Sequence, residues 1–240
     1  MYIDKERCIG CGECIHYCSL KAITIADEGY AEIVRDECVE CNSCLRARVC
    51  PVDAFVKEEL DWYRGLRSVM SDPVAVHPIT GIAGRGTAEI KTNDVTARTK
   101  RGQVAVAIEV GRPNTGTRLC DVEKIAMAVA KLGVIFEPAN PITAMMTDTR
   151  TGKMRDDVLG EKVLSGIIEF PVRPDQLKDL AAVLHQVSKE IDTVFSLDLA
   201  CVTEEDGSVP LEKWAAEAGL WLSPNGKMNV GLGKPAAKVD

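Results

Sequence analysis

An α+β fold is predicted, with a small cysteine-rich unit at the N-terminus followed by a βαββαβ sandwich. Three observations predict it. Eight of the ten cysteines fall in the first fifty residues, in two runs of matching spacing. A β-rich apolar run at 104–110 is followed by apolar residues at three- and four-residue steps, the helix period. The same strand, helix, strand order then returns over 166–199. The chain divides accordingly into residues 1–60, a connecting region at 61–102, the sandwich at 103–203 and an extension at 204–240.

The first cysteine run reads Cys8-Ile-Gly-Cys11-Gly-Glu-Cys14-Ile-His-Tyr-Cys18, and the second Cys38-Val-Glu-Cys41-Asn-Ser-Cys44-Leu-Arg-Ala-Arg-Val-Cys50-Pro51. Each is C-x2-C-x2-C with a fourth cysteine further on. Three thiolates in a short loop wrap three corners of an iron–sulfur cube, and the fourth corner faces away from that loop. Two zinc ions could also take eight cysteines, but a three-cysteine loop with a displaced fourth, twice over, fits a cube better. Disulfides are disfavoured by the tight spacing and by the reducing cytoplasm in which the chain is expected. Gly10 and Gly12 flank Cys11 and free backbone N–H groups to turn towards electron-rich sulfur. Each half repeats one pattern: a short strand (Tyr2–Arg7, Ala31–Glu37), a cysteine loop, a helical turn and a strand (Lys21–Ile25, Val52–Val56). Ile3, Ile9, Ile23, Ile25, Val39 and Phe55 are expected to form an apolar skin around the cysteines.

Charge is uneven. The chain carries a net charge of -7. Residues 1–60 hold 7 Lys+Arg against 12 Asp+Glu, a balance of -5, and the remainder is near neutral at -2. An acidic surface of this kind repels nucleic acid, which needs cationic faces. It suits a basic patch on a protein partner, where complementarity raises the association rate. The opening residues show no secretory pattern and no apolar run reaches the length of a membrane span. No nucleic-acid or membrane partner is therefore expected.

Residues 1–60 resemble the bacterial-type two-[4Fe–4S] ferredoxin family. The resemblance implies two [4Fe–4S] clusters in which the fourth cysteine of each run ligates the other cluster. One cluster then takes Cys8, Cys11, Cys14 and Cys50, and the other Cys38, Cys41, Cys44 and Cys18. Two departures make the clusters inequivalent. Ser19 replaces the proline that usually follows the fourth cysteine, and five residues rather than three separate Cys44 from Cys50.

In the connecting region, residues 61–67 read as a short helix, and Pro73, Pro78, Gly81, Gly84 and Gly86 as punctuation of a loop. The basic run at 97–102 reads first as a solvated turn, and otherwise as a contact for an anion or for the acidic first unit. In the sandwich, strands are expected at 104–110, 134–136, 166–170 and 193–199. Helices are expected through Val122–Leu132 and Leu177–Ile191. This order is similar to the ferredoxin-like sandwich of ACT-family regulatory domains, a likeness of topology without a diagnostic motif. Arg112 and Arg118 bracket a Gly-containing turn ahead of a helix and form the candidate site for a small-molecule anion. Cys120 and Cys201 read as small buried hydrophobes. The tail is expected to contain a helix at 211–218 and an irregular stretch from Pro224 to Pro235.

The expected function is low-potential, one-electron transfer of the kind used in anaerobic metabolism. The fused part would dock a redox partner protein, an oxidoreductase, or sense a metabolite, and a homodimer is one expected assembly. The rivals are an iron–sulfur subunit of an oxidoreductase, with its substrate in the second part, and a redox-responsive regulator. No catalytic residue is read from the sequence.

Overall fold

The computed structural model describes residues 1–87 and 90–224; the side chains of residues 91, 94 and 95 are left aside. Within residues 1–60 the chain forms β1 (Tyr2–Ile3), β2 (Ile23–Ile25), β3 (Ala31–Ile33), α1 (Ser43–Arg46) and β4 (Phe55–Val56). β1 pairs antiparallel with β4, Ile3 opposite Phe55, and β2 pairs with β3, Ile23 opposite Ile33. The first and last strands thus close the unit on itself. Met1, Ile3, Ile23, Ala31 and Ala54 are buried beside Cys14 and Cys44. Of the expected skin, Ile9 (65% exposed) and Ile25 (43%) face outward instead.

Residues 61–102 do more than connect. α2 runs over Trp62–Ser71, longer than the helix expected, and Asp61 caps it by accepting from the Arg64 N–H at 2.8 Å. Its apolar side, Leu66, Val69 and Met70, packs into the main core, while Arg64 and Arg67 turn to the cysteine-rich unit. The helix is therefore shared by both parts of the chain.

The second part contains β5 (Val104–Val110), β6 (Thr117–Arg118), α4 (Leu119–Ala130), β7 (Met146–Asp148), β8 (Lys153–Met154), β9 (Lys162–Val163), β10 (Gly166–Val172), α6 (Leu177–Val187) and β11 (Phe195–Ala200). Single helical turns lie at α3 (Asn93–Thr96) and α5 (Pro141–Ala144), and α7 spans Pro210–Glu217. β5 is the central strand of a three-stranded sheet with β10 and β11 on either side, both antiparallel to it. Val104, Val106, Ile108 and Val110 point to the face on which α4 and α6 pack. That face is sealed by Val122, Ile125, Ala126 and Val129 of α4 and by Leu177, Leu180 and Leu184 of α6. Ala105, Ala107 and Glu109 alternate to the opposite face. There the loop from Pro73 onward lies over the sheet: Arg85 reaches Glu109 at 3.5 Å and Thr87 Oγ1 donates to Glu169 at 2.6 Å. Two covered faces explain the unbroken apolar run of β5.

The four-stranded sandwich is corrected to three strands. Residues 134–136 do not form a strand. The chain turns at Gly133, Ile135 is 78% exposed, and the Glu137 N–H makes a backbone bond to the Glu169 carbonyl at 2.8 Å. Pro138 and Pro141, lacking N–H donors, discourage further pairing. Phe136 still anchors the segment, edge-on to Phe170 with ring centroids 5.9 Å apart. The first βαβ unit is thus absent, and α6 joins β10 and β11 across β5. The tail helix is present as α7; the stretch from Gly226 to Pro235 lies outside the described residues. Among the described residues no helix is long and apolar enough to cross a membrane.

The joint between the two parts is ionic. Arg67, 4% exposed, donates to the carbonyls of Asp36 (2.7 Å) and Cys38 (3.0 Å) and to Glu161 Oε2 (2.5 Å). Arg64 bonds the buried Glu40 and the Arg35 carbonyl. Burial works against the Arg64 charge, but the hydrogen bond and charge of Glu40 outweigh it, so its pKa is raised. Arg118 reaches Asp36 at 2.6 Å and Glu37 at 3.1 Å, and Lys162 also bonds Glu37. The acidity of the first unit is thus partly consumed inside the molecule. In the basic run at 97–102, Arg98 faces Glu137 and Arg101 faces Glu204.

Two outcomes follow from this joint. Arg67→Met leaves Glu161 and two carbonyls without their donor, and should lower the stability of the full chain by roughly 3–5 kcal/mol in chemical denaturation; an unchanged midpoint would refute the role. Asp36 is held below its ordinary value of 3.8, chiefly by the Arg118 hydrogen bond and against a small effect of burial. Its contribution is complete above the unfolded value and disappears as pH falls through the lower folded one. Asp36→Asn should therefore be less stable than the native chain at neutral pH and equal to it in strong acid, as read by thermal unfolding across pH.

Candidate iron–sulfur site

The two cysteine loops have the same backbone. In the first, Gly10 and Gly12 adopt left-handed φ of 66° and 76°; in the second, Glu40 and Asn42 adopt 56° and 57° at the matching places. The turns that follow match as well, with Lys21 at 55° and Asp53 at 47°, each three residues beyond a fourth cysteine. Side chains other than glycine resist this conformation, so the second loop needs holding. Glu40 is 1% exposed and fixed by Arg64 and the Met1 ammonium. The Asn42 side chain donates to Asp72 at 2.7 Å. The internal repeat aligns these two residues with Gly10 and Gly12, and it is the only signal for their backbone in the sequence.

The fourth cysteines cross between loops. Cys8, Cys11, Cys14 and Cys50 line one small pocket, together with Ile9 and Phe55. The remaining four, Cys38, Cys41, Cys44 and Cys18, lie close enough to one another to perturb each other's charge. Burial, reinforced by Cys41, Cys38 and Cys18, pushes the Cys44 thiol up to about 12. In the first set burial raises Cys14, and Cys11, Cys8 and Cys50 add to it. Among the described residues, no three of His, Cys, Asp and Glu are placed to hold a single metal ion. The donor sets are all sulfur, and each joins three cysteines of one loop to a fourth from the other, the arrangement of a cluster.

Backbone amides serve the sulfurs. Ala22 N–H donates to Cys18 Sγ at 3.2 Å and Ala54 N–H to Cys50 Sγ at 3.3 Å, the same four-residue step in both halves. The two additional residues before Cys50 are taken up after α1, where Arg48 turns at φ 51°, so Cys50 arrives in the place Cys18 occupies. Ala31 N–H adds a third bond, to Cys8 Sγ at 3.3 Å.

The loops differ in their surroundings. The second is braced by cations: Arg67 on the Cys38 carbonyl, Arg46 on the Cys41 carbonyl, with Arg46 also 2.8 Å from Asp72. The first faces outward, with Cys11 exposed.

Both arginines of the expected anion site have carboxylate partners within the chain. Arg112 pairs with Glu109 at 2.9 Å, and Arg118 is spent on Asp36, Glu37 and the Gly160 carbonyl. The reason is the acidity of the first unit, which captures the nearer guanidinium. Cys120 lies at the start of α4, half-buried, and Cys201 packs at the edge of the main core.

Gly10 supplies a local test. A Cβ there would come within 2.0 Å of the Gly29 carbonyl oxygen, at a φ that side chains avoid. Gly10→Ala should displace the first loop, cost more than the roughly 1 kcal/mol of a strained turn alone, and reduce iron bound in the purified protein. Gly12→Ala, whose nearest neighbour is a flexible Ile15 terminus at 3.8 Å, should cost less.

Comparison with known proteins agrees with this geometry. A family described as a 4Fe–4S dicluster domain matches residues 1–57. Ferredoxin-3 of Nostoc sp. (strain PCC 7120 / SAG 25.82 / UTEX 2576) is 35% identical over 77 residues, 25% of this chain and 77% of that protein. A ferredoxin of Pyrobaculum islandicum is 31% identical over 71 residues, 26% of this chain and 64% of that protein. No solved structure matches the chain. With eight cysteines in the family's pattern and an N-terminal quarter alike in sequence, the chain belongs to the [4Fe–4S] ferredoxins.

Proposed function

We propose that residues 1–60 carry two [4Fe–4S] clusters and move single electrons to or from an oxidoreductase, while residues 103–203 dock that partner or bind a metabolite. The observation that carries the reading is the pair of crossed cysteine sets, alike in backbone and in sulfur hydrogen bonds. One cluster would be held by Cys8, Cys11, Cys14 and Cys50, the other by Cys38, Cys41, Cys44 and Cys18. Such clusters supply one-electron storage without bond making. Reduced thiols are required, which favours the cytoplasm as the location.

The chain's own residues tune that chemistry. Amide donors at Cys18, Cys50 and Cys8 withdraw charge from sulfur. The guanidiniums of Arg46 and Arg67 place positive charge beside the second set, favouring an added electron there. Cys11 and Ile9 leave the first set open to an approaching protein. This asymmetry gives the inner set the higher reduction potential and the outer set the contact with the redox partner.

Protein purified without oxygen should contain about eight iron and eight sulfide per chain. Cys18→Ala and Cys50→Ala should each lose about half of the iron, and the two variants should retain clusters with different reduction potentials. Colourless, iron-free protein, or full iron in both variants, would overturn the proposal. The second reading, an oxidoreductase subunit with its substrate in residues 103–203, draws on the pocket beside β10; reduction of a small substrate with no partner protein added would select it.

A further inference from the structure

The two cysteine loops share a backbone but differ at one position beside a cysteine. Ser43 follows the left-handed Asn42 and opens α1. Its Oγ lies 3.4 Å from Cys41 Sγ, within hydrogen-bond distance for sulfur. A cluster ligand is a thiolate, which has lost its proton and can only accept, so the serine hydroxyl is the donor of that bond. The matching residue of the first loop is Glu13, which follows the left-handed Gly12 and opens a short helical turn. Glu13 stands two residues beyond Cys11, as Ser43 stands two beyond Cys41. A carboxylate brings an acceptor and a negative charge to the place where the second loop has a donor.

Both residues are exposed, so chemistry rather than packing distinguishes them. Reduction of a cluster adds one negative charge, shared by iron and sulfur. A hydrogen bond to a ligand sulfur strengthens as that charge arrives and so stabilises the reduced form. A carboxylate nearby opposes the same step by repulsion. This position therefore acts in the same direction as the arginines around the second loop. It does so through single exposed side chains that can be exchanged without touching those arginines or any cysteine.

We propose that Ser43 and Glu13 tune the two clusters in opposite directions. Ser43 raises the potential of the second by donating to Cys41 Sγ, and Glu13 lowers that of the first. The inference rests on the two-cluster reading above and names the positioning residues that separate the two potentials.

The test is a spectroelectrochemical titration of the full, cluster-loaded chain, with iron counted in every variant. Ser43→Ala should lower one of the two reduction steps and leave the other in place. The expected fall is roughly threefold to tenfold in the one-electron equilibrium constant, tenfold being about 59 mV. Ser43→Thr keeps the hydroxyl and should stay close to the native value. Glu13→Ser should raise the other step, and by more than Glu13→Ala does, because alanine removes the charge without adding a donor. The Glu13 pair decides the matter if Ser43→Ala loses iron. With iron intact, four results would each overturn this inference alone: an unmoved potential in Ser43→Ala, an equal fall in Ser43→Thr, equal rises in the two Glu13 variants, or Ser43→Ala and Glu13→Ser moving the same step. Native protein without iron would overturn the two-cluster reading and this inference with it.

Discussion

Two buried guanidiniums hold this structure in one piece. Arg64 and Arg67 sit one turn apart on α2, whose other side is seated in the aliphatic core. Both reach under the second cysteine loop. Both are largely withdrawn from water, so each depends on the carbonyls and carboxylates it meets. Glu40, Glu161 and the carbonyls of residues 35, 36 and 38 provide these. Removing any one donor leaves several acceptors buried and unmatched, which costs more than the surface pairs of the same joint contribute. The position of the second loop, the left-handed turn at Glu40 and the packing of α2 are consequences of this one arrangement.

The cysteine-rich unit was largely legible in the sequence because its determinants are local. Spacing, the internal repeat and the residues around Cys11 required no knowledge of the rest of the chain, and the family comparison covers this same segment. What escaped were features decided at a distance. Ile9 and Ile25 are apolar, yet they face outward because the cysteines themselves occupy the inside. Glu40 is one acid between two cysteines in the sequence, and only the fold brings Arg64 to it.

In the second part, the helices and the strands at β5, β10 and β11 followed from periodicity. The strand at 134–136 did not form, because an apolar triplet carries no information about whether an edge can be extended. Prolines on its far side decided the matter. Arg112 and Arg118 illustrate the same limit. A turn with two arginines suggests an anion site in isolation, and the fold gives each of them a carboxylate partner. Glu169 lies in an apolar run, and its partners Thr87 and Asn140 come from distant parts of the chain.

Because α2 belongs to both parts, the ferredoxin segment is not a detachable bead on a string. Occupancy of the cysteine sets and cohesion of the aliphatic core are thermodynamically linked: whatever fixes the second loop also fixes the acceptors of Arg64 and Arg67, and with them the helix that caps the core. Oxygen damage at the sulfurs would then be felt tens of residues away as a loosened sheet, and the cell's proteases would receive a whole unfolding chain rather than an intact platform with a ruined appendage.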